Sequence, residues 1–432
     1  MCSDHHAKSV RARRHAAGTP PARRTERPDP MASREITSSP AGVLPADVLP
    51  ADADAALLVG RLLDPADGGP SLVTVRGDAL VDVTALGPTV SDLLEHPDAA
   101  ARLRAAEGGR SWPLAEVLAA TAGGDAGRAR LLAPVDLQVL KAAGVTFADS
   151  MMERVIEERA GGVAAAADEI RERIGARLGT RLETVRAGSP EAVELLAWLR
   201  EQGLWSQYLE VGLGPDAEIF TKGPVLSAVG YGARIGVAEV SEWNNPEPEL
   251  VLVVASDGRI AGVTLGNDVN LRDVEGRSAL LLPQAKDNNA STALGPFVRL
   301  TGDGFTADSV REATIALSVR GEDGFVLRDS SDMSRISRPL ETLVAQAVNR
   351  RHQYPDGVVL FTGTLFAPTA DRGAPGSGFT HREGDLVEIS TPLLGTLRNT
   401  VTTSEQAPPW EAGIRDLYAG FARRGLLRRA GS

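Results

Sequence analysis

The residues of this chain best suited to chemistry are three acids: Glu247 and Glu249, which flank Pro248, and Asp268 further along. Carboxylates held close together repel one another, so such an arrangement is costly without a counter-ion. Ligation by oxygen alone suits the hard cations Mg²⁺, Mn²⁺ or Ca²⁺ rather than zinc. Two interpretations are open from the spacing alone: a carboxylate cage for a divalent cation, or acids that solvate the end of a strand.

A predicted β-hairpin brings the three acids together. Two apolar runs flank Asp257-Gly258, a dipeptide that favours a two-residue type I′ turn. With that loop, counting outward places Glu247 opposite Asp268 on the partner strand. Because side chains alternate faces along a strand, Glu249 shares the face of Glu247. The hairpin register therefore predicts that the three carboxylates converge at one end of the hairpin.

Two basic residues follow the hairpin. Arg272 lies one helical turn after Asp268, so the two side chains would project from one helix face. Arg272 could then help a metal-bound carboxylate to hold a 2-keto acid, or it could simply pair with Asp268. Lys286 follows an apolar run; a nearby cation would lower its pKa and let it act as a base, and the alternative is a surface lysine.

Composition limits the classes of function. The chain has 432 residues, 43% hydrophobic and 24% charged, which describes an ordinary globular protein of two or three domains. A net charge of −11 argues against nucleic acid as a partner. The single cysteine, Cys2, excludes a disulfide framework and favours a reducing cytoplasm. No apolar stretch approaches ~18 residues, so we expect no transmembrane helix and no membrane partner.

The elements that position these residues follow from changes of pattern along the chain, which predict an α+β fold. Residues 1–42 are rich in Arg and Pro and are expected to be a disordered extension, with translation beginning at Met31. The later segments are a small N-terminal mixed domain, a helical insertion that could act as a lid, a mostly β catalytic domain, and a C-terminal helix with its tail. Their predicted bounds are 43–149, 150–204, 205–405 and 406–432.

Six ordered motifs resemble those of the fumarylacetoacetate hydrolase superfamily, over roughly residues 130–405. The resemblance implies a mostly β catalytic domain of that family. It also implies that Glu247, Glu249 and Asp268 bind Mg²⁺, Mn²⁺ or Ca²⁺. The motifs are Pro246-Glu-Pro-Glu-Leu250, Gly266-Asn-Asp-Val-Asn-Leu-Arg-Asp273, Leu282-Pro-Gln-Ala-Lys286, Gly295-Pro296, Phe361-Thr-Gly-Thr364 and Glu383-Gly-Asp-Leu-Val-Glu388.

The same resemblance implies roles for residues near the metal. Arg272 and Lys286 would approach the bound substrate, and Thr364 would contact its carboxylate. Family members that hydrolyse carbon–carbon bonds carry Asp-His-x-x-Glu in an early loop, where His and Glu activate water. Here Ser150 stands in the histidine's place, as a substrate-binding residue, and the glutamate is kept as Glu153.

This departure resembles the branch of the superfamily that dehydrates 2-keto-3-deoxy sugar acids. The implied reaction is that of a lyase in oxidative pentose catabolism, which converts a small 2-keto-3-deoxy-pentonate to 2,5-dioxopentanoate. A base removes a C3 proton and an acid assists departure of the C4 hydroxyl, with Lys286 as base, Glu153 as acid, and the two roles interchangeable. We expect a cytoplasmic homodimer or homotetramer.

Two other functions are open from the sequence. One is a hydrolase of acylpyruvates or 2,4-diketo acids that recruits another base, such as His352. The other is a non-catalytic, metal-dependent binder of sugar acids.

Overall fold

The described part of the fold is built on an eleven-stranded mixed β-sheet. The computed structural model describes residues 43–161, 163, 166–167, 169–170, 185–203, 205–302, 304–366, 370–373 and 378–427. The extension predicted to be disordered, 1–42, lies outside the described residues. Within the predicted lid, 150–204, most of the residues from 162 to 184 also lie outside them.

The described strands are named in chain order. They are β1 (Leu58–Asp64), β2 (Gly69–Arg76), β3 (Ala79–Asp82), β4 (Ser111–Pro113), β5 (Arg130–Leu132), β6 (Val139–Gly144), β7 (Glu218–Gly223), β8 (Arg234–Val237), β9 (Asn244–Asn245), β10 (Pro248–Val254), β11 (Ile260–Asp268), β12 (Asn270–Leu271), β13 (Thr292–Leu300), β14 (Thr314–Arg320), β15 (Val326–Asp332), β16 (Val358–Phe361), β17 (Leu386–Thr391) and β18 (Gly395–Thr403).

The large sheet has the order β4-β3-β2-β1-β13-β11-β10-β16-β6-β7, with β5 also paired to β1. A second sheet has the order β15-β14-β17-β18-β8, and β9 pairs with β12. Strands from the N-terminal third pair directly with strands from later in the chain, since β1 is antiparallel to β13 and β6 is parallel to β16. A single sheet therefore contains strands from both predicted domains, 43–149 and 205–405. The division of the chain into these domains stays a prediction.

The predicted hairpin forms the centre of this sheet as β10 and β11. Every residue of β10 is buried, because the strand packs on both faces. Leu250 and Leu252 belong to one hydrophobic cluster, whereas Val251 and Val253 belong to the other. Burial on both faces explains why the sequence of this strand is continuously apolar instead of alternating.

The described helices are also named in chain order. They are α1 (Pro45–Val48), α2 (Val90–Leu94), α3 (Ala99–Ala105), α4 (Leu114–Ala122), α5 (Ala148–Ala160), α6 (Pro190–Glu201), α7 (Gln207–Leu213), α8 (Arg272–Glu275), α9 (Leu282–Lys286), α10 (Leu340–Ala347) and α11 (Ile414–Arg423). The α+β prediction is confirmed. Among the described residues, no helix has the length and apolar character needed to cross a membrane.

Helix α5 is the helix that matters most for the site. It ends at Gly161, whose left-handed backbone (φ 60°) satisfies the last helical carbonyls at no steric cost. Met151, Val155 and Ile156 bury one side of the helix in a cluster shared with α6 and α7. A second side, which carries polar residues, faces the acidic end of the β10–β11 hairpin.

Candidate metal centre and active site

The hairpin register places the acids as the sequence predicts. Pro248 pairs with Asn267 and Glu249 with Gly266, and the Asp268 amide donates a hydrogen bond of 3.0 Å to the carbonyl oxygen of Glu247. One oxygen of each of the three carboxylates lies within 4.8 Å of the others. The side chains of Glu247, Glu249 and Asp268 are all buried, and together we call them the carboxylate cluster.

The predicted two-residue turn is wrong in detail. Ala255 accepts a hydrogen bond from the amide of Gly258 and donates one to the carbonyl of Arg259, so three residues form the loop. The register then shifts by one residue between Val253 and Val254, where Ala261 is an extra residue in β11. The longer loop and the bulge cancel, which is why counting outward from the turn still gave the correct pairing at the acidic end.

The electrostatics of the carboxylate cluster fit a cation. Burial, together with repulsion from Asp268 and Glu247, raises the pKa of Glu249 well above its ordinary value. Glu249 has one stabilising contact from the backbone, a hydrogen bond of 2.7 Å donated by the amide of Gly363. A divalent cation would offset this repulsion, and three carboxylates are the ligands that Mg²⁺, Mn²⁺ and Ca²⁺ prefer. The residues present therefore fit such an ion.

Lys286 is buried at the end of α9 and is not a surface lysine. Its Nζ lies 3.2 Å from Oδ2 of Asp268 and also contacts Oε2 of Glu247. Burial disfavours its ammonium form, but the charges of Asp268, Glu247 and Glu275 outweigh burial and raise the pKa of Lys286. The lowered pKa of Lys286 that the sequence predicts requires a bound cation, because the surrounding protein groups alone raise that pKa.

A cavity opens beside the carboxylate cluster. Ser150, Thr364 and Lys286 line it, as does the cluster itself. The Ser150 hydroxyl donates a hydrogen bond of 3.0 Å to the carbonyl of Phe147. The Thr364 hydroxyl accepts one of 3.0 Å from the amide of Phe366. The other described residues around the cavity are Ala143, Gly144, Val145, Arg154, Glu218, Phe220, Glu275 and Gly363.

Two of the predicted site residues, Arg272 and Glu153, lie outside the described wall of the cavity. Arg272 is buried, with its Nε 2.6 Å from Glu157 and its Nη2 3.2 Å from Glu153, and it stacks 4.2 Å from the ring centre of Trp243. Asp268 is held by lysines, so the alternative Asp268–Arg272 ion pair is wrong. Neither Arg272 nor Glu153 is among the described residues that line the cavity. Their roles as substrate ligand and acid stay predictions, and both residues contribute to an ion-pair network behind the site.

Arg154 joins this network to the carboxylate cluster, and sequence reasoning missed it. Its guanidinium contacts Glu247, lies 2.6 Å from Glu157 and 3.1 Å from Glu275. The signal was present in the sequence. Polar residues at 150, 153, 154 and 157 have the spacing of one helix face, but only Ser150 and Glu153 were predicted to serve the site.

Glu218 is a second residue that sequence reasoning missed. Burial, followed by repulsion from Glu275, raises the pKa of Glu218 to about 7. It lies at the start of β7, opposite Gly144 of β6. A Cβ atom at Gly144 would lie 2.2 Å from Oε2 of Glu218, so glycine there leaves room for the carboxyl group. Nothing in the local sequence of Glu218 distinguishes it from a surface acid.

Neither His352, the alternative base, nor His381 is among the described residues that line the cavity. His352 is exposed and stacks on Tyr354, with ring centres 4.5 Å apart. His381 is buried, and its Nδ1 lies 3.2 Å from Asp385. A water-activating histidine is therefore absent from the described residues around the cavity.

Residues 196–402 match the family model for the C-terminal domain of fumarylacetoacetate (FAA) hydrolase. The chain therefore contains a domain of the fumarylacetoacetate hydrolase family, as the sequence motifs implied. The matched range includes the carboxylate cluster, Lys286 and Thr364, and it excludes α5.

Two curated proteins are similar to part of the chain. A protein of Haloferax volcanii, named probable 2-keto-3-deoxyxylonate dehydratase, is 33% identical over 203 residues, which cover 47% of this chain and 66% of that protein. The 2-dehydro-3-deoxy-D-arabinonate dehydratase of Saccharolobus solfataricus is 34% identical over 183 residues, which cover 42% of this chain and 57% of that protein. The similarity thus spans less than two thirds of each relative.

A solved structure shares the fold over a longer range. It is that of 2-keto-3-deoxy-D-arabinonate dehydratase in complex with magnesium and 2,5-dioxopentanoate. The TM-score is 0.55 and the sequence identity 21%, with 80% of this chain and 99% of that chain covered. The match confirms that the described fold, including strands before residue 196, is a known arrangement.

Proposed function

We propose that this chain is a divalent-cation-dependent dehydratase that converts a 2-keto-3-deoxy-pentonate to 2,5-dioxopentanoate. The observation that carries the proposal is the buried carboxylate cluster in the wall of a cavity that Lys286 also lines. The names of the two curated relatives support the substrate class. Magnesium and 2,5-dioxopentanoate in the solved structure of similar fold support the cation and the product.

Glu247, Glu249 and Asp268 would hold the cation, with Mg²⁺ as the first candidate and Mn²⁺ or Ca²⁺ compatible with the same oxygens. A bound cation would polarise the C2 carbonyl of the 2-keto acid, acidify its C3 protons and oppose the ammonium form of Lys286. Thr364 and Ser150 line the same cavity and are proposed to contact the substrate.

The proton transfers are assigned to two residues that line the cavity. Lys286 takes a proton from C3, and a carboxylic acid donates a proton to the departing C4 hydroxyl, so that one water is lost. We assign the acid role to Glu218 in place of Glu153, because Glu218 lines the cavity whereas Glu153 pairs with Arg272. The remaining C3=C4 double bond then moves by tautomerisation through C5, which becomes the aldehyde carbon.

Product analysis tests the proposal. Purified protein with Mg²⁺ is incubated with 2-keto-3-deoxy-D-xylonate (the same compound as 2-keto-3-deoxy-D-arabinonate) and its L-isomer, and products are followed by mass spectrometry. We expect loss of one water, formation of 2,5-dioxopentanoate, and no activity in Lys286→Met. The control is Lys141→Met, which alters a lysine whose Nζ bonds Thr221 in the neighbouring strand. Release of pyruvate instead would contradict the proposal.

The alternative functions give different results in the same assay. A carbon–carbon hydrolase would turn over an acylpyruvate and incorporate ¹⁸O from labelled water into the released acid. Binding of every substrate without turnover would indicate a sugar-acid binder. We favour dehydration because it needs no water nucleophile, and the described cavity wall offers serine where hydrolases of the family carry histidine. A place in pentose catabolism, a cytoplasmic location and a homo-oligomeric state stay predictions.

A further inference from the structure

Lys222 is a fully buried lysine that the proposed reaction does not use. It lies near the end of β7, where the pairing with β6 is irregular: Lys141 pairs with Thr221, but Leu140 pairs with Gly223. Lys222 is thus the extra residue of a β-bulge. Bulges change the direction of a side chain locally and are common beside active sites. This one directs Lys222 beneath the carboxylate cluster.

The Lys222 ammonium has three hydrogen atoms to donate, and three oxygens are placed to receive them. They are the carbonyl oxygen of Val269 at 3.2 Å, the carbonyl oxygen of Lys286 and, more weakly, the hydroxyl of Ser291 at 3.4 Å. Oδ1 of Asp268 lies 2.9 Å from Nζ as an ion pair. The Ser291 hydroxyl itself donates a hydrogen bond of 2.9 Å to the Lys286 carbonyl. No hydrogen of the ammonium is left for a ligand.

These contacts connect Lys222 both to a proposed metal ligand, Asp268, and to the proposed base, Lys286. Lys222 fixes one oxygen of Asp268, and the other oxygen, Oδ2, faces the Nζ of Lys286. The same ammonium fixes the backbone of Lys286 at the end of α9. Lys222 is itself not among the described residues that line the cavity, so it acts through its neighbours.

We propose that Lys222 is a positioning residue, which orients the Asp268 carboxylate for cation binding and holds Lys286 at a fixed place beside it. The part that concerns Lys286 rests on the proposed function. The part that concerns Asp268 requires only that the carboxylate cluster binds a cation. Groups that orient a metal ligand from behind change metal affinity or activity by about 10- to 100-fold when they are removed.

The test is Lys222→Met, with Mn²⁺ binding measured by titration calorimetry and turnover measured on the 2-keto-3-deoxy-pentonate. Removal of a positive charge would by itself strengthen cation binding, so weaker binding reports the loss of orientation. We expect the Kd for Mn²⁺ to rise about 10-fold or more. We also expect kcat to fall by a similar factor, with KM changed less. Lys141→Met, the matched control in the paired strand, should leave both values unchanged.

The outcomes separate the inference from the proposed function. Unchanged or tighter Mn²⁺ binding in folded Lys222→Met overturns the inference. Wild-type protein that binds Mn²⁺ but dehydrates no substrate contradicts the proposed function, and the Mn²⁺ comparison still tests Lys222. If circular dichroism shows that Lys222→Met is unfolded, Lys222→Gln replaces it under the same criterion, because its amide keeps two N–H donors without the charge.

Discussion

Within the carboxylate cluster, Glu247 contacts two charged side chains, one with each carboxylate oxygen. One of its oxygens contacts Arg154 and the other contacts Lys286, while its amide donates a hydrogen bond of 3.0 Å to the side-chain oxygen of Asn267. The acid is therefore fixed in direction from the backbone and from both oxygens. A residue held in this way can be tested by a substitution that changes charge but not shape.

Glu247→Gln should abolish dehydration and weaken Mg²⁺ binding by at least about 100-fold, because it removes a charged ligand where even supporting groups contribute 10- to 100-fold. Calorimetric titration with Mg²⁺ and the product assay check both effects. Glu242→Gln, at an exposed acid nearby, is the control. Wild-type affinity and turnover in the Glu247 variant would refute the cation site.

The raised pKa of Glu218 predicts that kcat depends on pH. Its pKa is raised to about 7, and as the proposed acid it must be protonated to act. We expect kcat to fall as the pH rises through about 7. In Glu218→Gln this alkaline limb should disappear and kcat should drop by about 100-fold or more, since an amide cannot donate a proton in this way. A loss of activity on the acid side instead would assign the base role to Glu218 and the acid role to Lys286.

The membership of the carboxylate cluster could be predicted from the sequence. The contribution of Arg154 and Glu218 to its surroundings could not. Glu247, Glu249 and Asp268 lie in or beside two adjacent strands, so local pairing was enough to bring them together. Arg154 and Glu218 come from distant elements, and only tertiary packing brings them to the cluster. Local spacing carries no information on such contacts.

At the scale of elements, α5 shows how one pattern supported two interpretations. Its polar residues at 150, 153, 154 and 157 are compatible with a solvated face or with a face turned toward a polar site. Burial decides: Glu153 and Glu157 are 8% and 2% exposed. The pattern of α5 predicts a helix but not the direction of its polar face, and only the family resemblance of Ser150 and Glu153 assigned that face to the site in advance.

The segment before β17 is anchored by Asp385, a buried acid outside the active site. Burial opposes its ionisation, but hydrogen bonds from His381, Arg372 and the amide of Arg382 hold the pKa of Asp385 at about 2, against an ordinary value of 3.8. Because the folded-state pKa is the lower one, its contribution to stability is complete above pH 3.8 and is lost as the pH falls toward 2.

Asp385→Asn should therefore lower the free energy of unfolding by about 2 kcal/mol at pH 6, the scale of hydrogen bonds to a charged group. The difference from wild type should shrink as the pH falls below 3.8. Urea unfolding at pH 6, 5, 4 and 3 measures it. The exposed Asp54→Asn is the control. A difference that does not change with pH would contradict the assigned ionisation.

At the scale of the whole molecule, the sequence motifs located the family domain but not the extent of the sheet. Motifs were recognised from local residues, whereas β1–β13 and β6–β16 pair strands that lie far apart in the chain. Both N-terminal strands contribute to the buried clusters, through Val59 and Leu62 from β1 and Leu140 and Ala142 from β6. Long-range pairing of this kind leaves no pattern in either strand alone.

This pairing leads to a test of the predicted domain division. A fragment of residues 205–405 would leave β13 without β1 and β16 without β6, which exposes unpaired edges and apolar side chains in the middle of the sheet. We expect the fragment to be insoluble or to unfold without cooperativity, whereas residues 43–427 should fold. Size-exclusion chromatography and thermal unfolding followed by circular dichroism compare the two. A soluble, monomeric fragment with a cooperative transition would show that the catalytic segment is an independent domain, as its sequence pattern predicts.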